Sequence, residues 1–234
     1  SKIIKYIFIT ACFLVLNFLL IQSTLNESPT YDEIGHVKVG YGFLTAHDFR
    51  VDPFSPPFSR ELVAIPMLFN QNIILDPVLL YPRLIVILFT NCLALVIYFF
   101  AKKIYGSGSA LFALLLFIFE PDLLAHGHYA TTDLISTFFL TLSLFIFFLF
   151  HRDFTPLKII IFAAVVGLTL STKFTTLSFL FASLAVFYFL NTNPKKQIFK
   201  LTFWPKRLTS LLIFFLTLSA FLWSTYFFTF EPAL

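Results

Sequence analysis

Two adjacent carboxylates, Asp32 and Glu33, are the strongest candidates for chemistry in this sequence. They lie in the longest polar stretch of an otherwise apolar chain, residues 23–78, which we call the first polar loop. Arg60 follows them in the same loop. A protein that needed only to span a membrane would have no use for two adjacent carboxylates followed by a basic residue. The loop is therefore where chemistry in water could take place.

A second polar stretch and a short turn add further candidates. The second polar loop, residues 120–133, holds five ionisable side chains: Glu120, Asp122, His126, His128 and Asp133. The turn, Ser171-Thr172-Lys173, lies between two apolar runs, and we call it the Lys173 turn. Ionisable groups at membrane depth are costly and point to function by default. For Asp133 the alternative role is to cap a helix. Lys173, and Arg83 at the start of the second apolar span, could instead simply extend their long side chains to the membrane surface.

The histidines of the second polar loop raise the question of a metal. Histidine and carboxylate side chains are common zinc ligands. The spacing of His126 and His128 matches no closed metal site, so we predict none. Whether a divalent cation takes part in the reaction stays open at this point, and we identify no certain cofactor.

Two helices are predicted to position the residues of the first polar loop. Thr30 and Glu33 have the spacing of a capping box, which indicates that a helix begins here. Apolar residues then recur at helical spacing and predict an amphipathic helix on the membrane interface: Ile34, Val37, Tyr41 and Leu44. A second interfacial helix is predicted over residues 59–69. The alternative role for Asp32 and Glu33 is only to stabilise the start of this helix.

The composition identifies an integral membrane protein. Hydrophobic residues make up 59% of the chain and charged residues only 12%, whereas soluble domains are nearer half apolar and a quarter charged. Runs of roughly 20 apolar residues can span a bilayer. We predict an all-α membrane protein, one transmembrane domain over residues 1–234, with about seven spans: 4–22, 79–101, 109–119, 132–150, 157–170, 175–190 and 208–230.

Charge bias predicts the orientation of these spans. With the amino terminus in the cytoplasm, the inner segments hold eleven of the sixteen basic residues and one of the twelve acids. Excess Lys and Arg in short loops marks the cytoplasmic side. We therefore expect a multi-pass protein of the plasma (inner) membrane whose two polar loops and Lys173 turn all lie outside the cytoplasm. The net charge of +4 comes mostly from the inner loops, so we expect contact with membrane lipid and no nucleic-acid partner.

Five segments, in order, resemble the lipid-carrier-dependent glycosyltransferases of the GT-C class. The closest similarity is to the branch of protein O-mannosyltransferases and bacterial aminoarabinose transferases. The segments are ESPTYDEIGHVKVGYGFL, DPFSPPFSRELVAIP, YPRLIVILF, FEPDLLAHGHYATTDLISTFF and LSTKFTTL. One departure is clear: Ser55-Pro56-Pro57-Phe58 stands where the family has His-Pro-Pro-Leu. Because such enzymes are about twice as long, we expect this chain to be the amino-terminal portion of a longer protein.

The resemblance implies a reaction. A sugar on a polyprenyl-phosphate carrier, undecaprenyl or dolichyl, passes with inversion to an acceptor hydroxyl on a protein, lipid or glycan. Asp32 would be the general base, with Glu33 as the second catalytic carboxylate. Positions matching the family's basic residues would bind the lipid phosphate: Arg60, Arg83 and Lys173. Three more residues would orient the acceptor: Asp122, His126 and Asp133.

Two other functional classes compete with the enzyme. A multi-pass transporter would place ionisable residues near the bilayer midplane, often within internal repeats, whereas here they cluster at one face and no repeat is visible. A non-catalytic membrane subunit would have no need of basic residues next to the outer membrane surface. These two alternatives are separable from the enzyme by an assay for sugar transfer.

Overall fold

The computed structural model describes residues 2–151, 154–191 and 204–229. Within these ranges the chain forms ten α-helices, three short 3-10 helices and no strand. The α-helices are α1 Lys2–Asn26, α2 Tyr31–Ala46, α3 Phe58–Ala64, α4 Leu80–Tyr105, α5 Ser107–Ile118, α6 Pro121–His126, α7 Asp133–Phe150, α8 Pro156–Leu170, α9 Thr175–Asn191 and α10 Trp204–Ser224. The 3-10 helices are Phe49–Val51, Ile65–Leu68 and Gln71–Leu75.

Three of the described helices are long and apolar enough to cross a membrane. These are α1, α4 and α7, with 25, 26 and 18 residues. Four further helices contain shorter apolar stretches: Ser107–Ile118 of α5, Pro156–Leu170 of α8, Thr175–Val186 of α9 and Leu208–Ser224 of α10. At about 1.5 Å per residue these stretches are shorter than the roughly 30 Å hydrocarbon core. The predicted all-α membrane class is confirmed, and the count of seven crossings stays a prediction.

Polar side chains join the apolar helices in pairs. Asn17 of α1 and Asn91 of α4 exchange two hydrogen bonds, of 2.9 and 3.0 Å. Ser143 of α7 and Thr169 of α8 lie 2.8 Å apart and are both fully buried. Such contacts fix helix register where apolar packing against lipid provides little preference. Around them a continuous core includes Leu16, Leu20 and Leu114 among its fully buried side chains.

The first polar loop contains two α-helices, α2 and α3, and their predicted place at the membrane interface stays a prediction. The capping box between Thr30 and Glu33 is present, so α2 begins where the sequence predicts. The residues of α2 that are buried in the protein are Glu33, Val37, Gly40 and Phe43. Contact of the apolar stripe Ile34, Val37, Tyr41 and Leu44 with the membrane stays a prediction. The helix predicted over 59–69 ends at Ala64 and continues as the 3-10 helix Ile65–Leu68, whose second residue is Pro66.

A close backbone approach holds α2 against α3. A Cβ atom on Gly40 would lie 2.1 Å from the Arg60 carbonyl oxygen, so only glycine permits this contact. On the other side of α3, the Phe58 N–H donates a 3.0 Å hydrogen bond to the Ser171 carbonyl in the Lys173 turn. The short helix α3 is therefore fixed between α2 and the Lys173 turn, and it carries Arg60 between them.

Candidate active site

The two polar loops and the Lys173 turn meet around one cavity of about 360 Å³. Charged, hydroxyl and aromatic side chains share its wall. The lining residues are Asp32, His36, Phe54, Ser55, Pro56, Arg60, Thr132, Asp133, Thr172, Lys173, Phe174 and Thr175. Four residues that the sequence singled out as site candidates, Asp32, Arg60, Asp133 and Lys173, thus lie around the same space although they are far apart in the chain.

Asp32 lies on the cavity wall as an exposed carboxylate. Within the described part of the chain it has no hydrogen bond or ion pair. It belongs to the first turn of α2, where the positive end of the helix dipole favours a negative charge. His36 is one helical turn further on and lines the same cavity.

Arg60 contributes to the cavity wall from α3. Its Nη1 pairs with the Asp52 carboxylate, and its Nε donates a 3.0 Å hydrogen bond to Nδ1 of His36. The arginine side chain is only 9% exposed, so these two contacts hold the guanidinium in place. Burial lowers the pKa of His36, and the Arg60 charge lowers it further, although the carboxylates of Asp32, Asp133 and Asp52 oppose both effects. His36 is therefore neutral at pH 7.

Lys173 and Asp133 form the third part of the wall. The Lys173 Nζ donates a 2.5 Å hydrogen bond to the Asp133 carboxylate, and both side chains are about half exposed, at 40% and 57%. Asp133 is the first residue of α7, and the side chain of the preceding N-cap residue, Thr132, makes no capping hydrogen bond. The cation is thus accessible from the cavity, in contrast to a lysine directed away along the membrane surface.

Glu33 and Arg83 form a separate pair behind the cavity wall. Both side chains are 0% exposed, and two 2.8 Å hydrogen bonds join Nε and Nη2 of Arg83 to the two carboxylate oxygens. The remaining Arg83 N–H groups donate to the carbonyls of Thr24, Glu27 and Ser28. All five N–H donors of the guanidinium are thereby used.

The Glu33 carboxylate is equally saturated. Besides Arg83, it accepts 2.8 Å hydrogen bonds from the backbone N–H groups of Thr30 and Ala130. Burial would raise the pKa of Glu33, but the hydrogen bonds from Arg83, Thr30 and Ala130 and the charge of Arg83 keep it below its usual value. The Ala130 contact also joins the second polar loop to the start of α2. Neither member of the pair lines the cavity.

The remaining residues of the second polar loop lie elsewhere. Asp122 and His126 are exposed on α6 and do not line the cavity. His128 is fully buried and lies 3.2 Å from the Glu27 carboxylate, which also accepts a hydrogen bond from Tyr129. Across the described residues, no group of three or more His, Cys, Asp or Glu side chains is placed to hold a metal ion.

Comparison with known families shows which family the chain belongs to. The family model described as dolichyl-phosphate-mannose-protein mannosyltransferase matches residues 72–223, well over half of the 234 residues. The chain belongs to this mannosyltransferase family. It is therefore a membrane glycosyltransferase of the GT-C type, and the family implies a lipid-linked sugar donor and an acceptor in a membrane. No curated protein and no solved structure matches the chain significantly.

The family match covers only part of the cavity wall. It includes Asp133 and Lys173, whereas Asp32, His36 and Arg60 precede its first matched residue. The resemblance to this family noted from the five sequence segments is confirmed. Sequence reasoning did not give a role to His36 or Asp52. The signal for His36 was available, because it stands four residues after Asp32 and so on the same side of a helix.

Proposed function

We propose that this glycosyltransferase moves a sugar from a polyprenyl-phosphate carrier to an acceptor hydroxyl in the cavity, with Asp32 as the general base. The observation that carries the proposal is the exposed, unpaired Asp32 carboxylate in the same cavity as the cations Arg60 and Lys173. A base without a partner can approach a hydroxyl group, and cations in the same cavity can receive a phosphate.

The reaction is a single displacement. The acceptor oxygen forms a bond to the anomeric carbon while the bond from that carbon to the phosphate oxygen breaks. The electron pair of the broken bond goes to the phosphate, and the acceptor proton goes to Asp32. One displacement at the anomeric carbon inverts its configuration. A positioned carboxylate contributes about 10²–10⁴-fold to such a proton transfer.

Arg60 and Lys173 are proposed to stabilise the phosphate as its charge grows. Arg60 retains an Nη2 amine without a partner among the described residues, and Lys173 is half exposed. Their carboxylate partners, Asp52 and Asp133, hold both cations in place. A phosphate would share these cations with the two carboxylates. Asp133 is in addition proposed to orient the acceptor.

Glu33 and Arg83 are proposed to act through the position of Asp32. Because their polar atoms are already paired with each other and with backbone groups, they hold the start of α2 against α4 and the second polar loop. We therefore propose a positioning role for both residues, in place of the catalytic role expected for Glu33 and the phosphate-binding role expected for Arg83. The predicted role of Asp122 and His126 in orienting the acceptor stays a prediction.

The sidedness of the reaction is part of the proposal. The amino terminus would lie in the cytoplasm and the cavity outside it, because the segments on the other side carry eleven of the sixteen basic residues. The two loop helices α2 and α3 would then lie at the outer interface of the plasma (inner) membrane.

Transfer from defined donors tests the proposal. The full-length protein carrying this sequence, purified in detergent or vesicles, is incubated with a set of polyprenyl-phosphate sugars and with membrane extract as acceptor. We expect labelled sugar in the acceptor fraction, with the anomeric configuration opposite to that of the donor. Transfer with retained configuration would contradict the single displacement, and transport of sugar across vesicles without any transfer would favour the transporter.

A further inference from the structure

We propose that His36 is a neutral hydrogen-bond donor of this cavity, with its proton on Nε2 and directed to an oxygen of the leaving phosphate. The inference rests on the function proposed above. It adds a third group to the two cations and restricts the base to Asp32. The argument begins from one hydrogen bond, that of Arg60 to His36.

The contact with Arg60 determines the tautomer. The Nε group of a guanidinium is always a donor in proteins, since arginine is not deprotonated there. The 3.0 Å hydrogen bond from Arg60 Nε therefore requires a lone pair on Nδ1 of His36. A neutral imidazole with a lone pair on Nδ1 carries its proton on Nε2. Nε2 has no partner among the described residues, and the ring lines the cavity.

The charges around the ring favour the neutral form. The groups that act on His36 are Arg60 on one side and the carboxylates of Asp32, Asp52 and Asp133 on the other, with Lys173 also on the cavity wall. Burial and Arg60 outweigh the carboxylates, and the pKa of His36 is lowered. The imidazole thus adds an N–H group to the cavity without adding a charge.

This state excludes His36 as the base. Nδ1 is occupied by Arg60, and Nε2 already carries a proton, so neither nitrogen can take the proton of an acceptor hydroxyl. The available N–H suits an oxygen on which negative charge develops. Arg60 lines the same cavity and retains an Nη2 without a partner among the described residues, so we expect a phosphate in the cavity to contact both residues. Asp32 and His36, four residues apart on α2, would then serve opposite ends of the reaction.

Two substitutions test the Nδ1 acceptor and the Nε2 donor of His36 separately. His36→Asn keeps an acceptor near the Nδ1 position for Arg60 but has no donor that reaches the Nε2 position. His36→Gln places an N–H near the Nε2 position but offers Arg60 no acceptor at Nδ1. We expect His36→Asn to lower kcat about 100-fold with little change in donor KM, and His36→Gln to lose less than about 10-fold. His151→Gln, at the far end of α7 from Asp133, is the matched control and should leave transfer unchanged.

A spectroscopic measurement tests the same state independently of turnover. In protein labelled with ¹⁵N-histidine, the ring shifts of His36, identified by their loss in His36→Gln, should show a proton on Nε2 and none on Nδ1 at pH 7. An imidazolium or an Nδ1–H ring at that pH would overturn the proposal. So would equal losses of kcat in the Asn and Gln variants, or full activity of His36→Asn in a protein that Asp32→Asn inactivates. Absence of transfer by the unmodified protein would instead overturn the proposed function, and the donor role with it.

Discussion

Asp32 and Glu33 are consecutive carboxylates with opposite surroundings. Glu33 is fully buried and accepts hydrogen bonds from Arg83, Thr30 and Ala130. Asp32 is exposed on the cavity wall without a partner in the described part of the chain. Successive residues of an α-helix are turned about 100° from each other, so one side chain points into the protein and the next into the cavity. Two adjacent carboxylates that look like one catalytic unit in the sequence therefore have different roles: Glu33 holds the structure together, and Asp32 faces the cavity.

The two arginines that accompany them repeat this division. Arg83 uses all five N–H groups on Glu33 and on three carbonyls. Arg60 uses Nη1 and Nε on Asp52 and His36, and retains Nη2. A buried ion pair contributes little over an apolar pair of the same volume, but removal of one partner is strongly destabilising. The comparison therefore predicts that mutations of the buried pair affect folding and mutations of the cavity residues affect turnover.

The largest effect is expected from Glu33→Ala. The substitution leaves the Arg83 guanidinium buried without its counter-charge, and we expect a loss of about 3–5 kcal/mol in the free energy of unfolding. Chemical unfolding in detergent, followed by circular dichroism, measures it. The double substitution Glu33→Leu with Arg83→Met is the control, because it removes both charges and should cost much less. A loss below about 1 kcal/mol for Glu33→Ala would contradict the structural role of the pair.

Asp32→Asn should have the opposite profile. The substitution removes the proposed base while keeping the shape of the side chain, so the transfer rate should fall by about 10²–10⁴-fold. Since Asp32 has no described partner, the unfolding free energy should change by less than about 0.5 kcal/mol. Rate and stability are measured on the same preparation. A stability loss comparable to that of Glu33→Ala would show that the two carboxylates are not divided as the structure indicates.

Lys173→Met should give the next largest effect on turnover. The substitution removes one proposed cation from the cavity, and we expect kcat to fall about 100-fold, with a smaller loss for Lys173→Arg. Lys38→Met is the matched control, because Lys38 is an exposed lysine of α2 that does not line the cavity. Equal effects of the two methionine variants would indicate a general loss of positive charge and contradict a phosphate contact at Lys173.

The smallest effect concerns Glu61, a third carboxylate that is buried like Glu33 but has no cation. Its Oε1 has no hydrogen-bond partner in the described structure, and burial raises its pKa to about 8. Between about pH 4.5 and 8 the folded protein therefore holds a proton that the unfolded chain has released. The stability that this protonated form contributes is complete below pH 4.5 and is lost as the pH rises through 8.

Glu61→Gln tests this titration. The unmodified protein should lose about 1.4 kcal/mol of unfolding free energy per pH unit in this window relative to Glu61→Gln. Unfolding at pH 6 and pH 7 in the same detergent measures the difference. Parallel pH profiles of the two proteins would mean that Glu61 is ionised and paired in the folded state, and would make it a second example of the Glu33 arrangement.

Much of the fold could be predicted from local patterns. The capping box at Thr30 identified the start of α2, and each of the seven apolar runs overlaps a helix, although α10 ends at Ser224, before the end of the seventh run. Their lengths did not settle the number of crossings, because 12 to 17 apolar residues suit a short span or a buried helix equally. The second loop helix, predicted over residues 59–69, ends as an α-helix at Ala64. Pro66 lies two residues later, and the α-helix does not continue past it.

By itself the sequence determined the membrane class, the helical elements and the family, because these depend on composition, periodicity and ordered motifs along the chain. Only the tertiary structure decided which of two adjacent carboxylates faces the cavity and which arginine is already paired. Those outcomes depend on the Gly40 contact with α3 and on Arg83 from α4, which lies 50 residues after Glu33 in the chain. Contacts over such separations follow from how helices pack, and local residue preferences do not encode them.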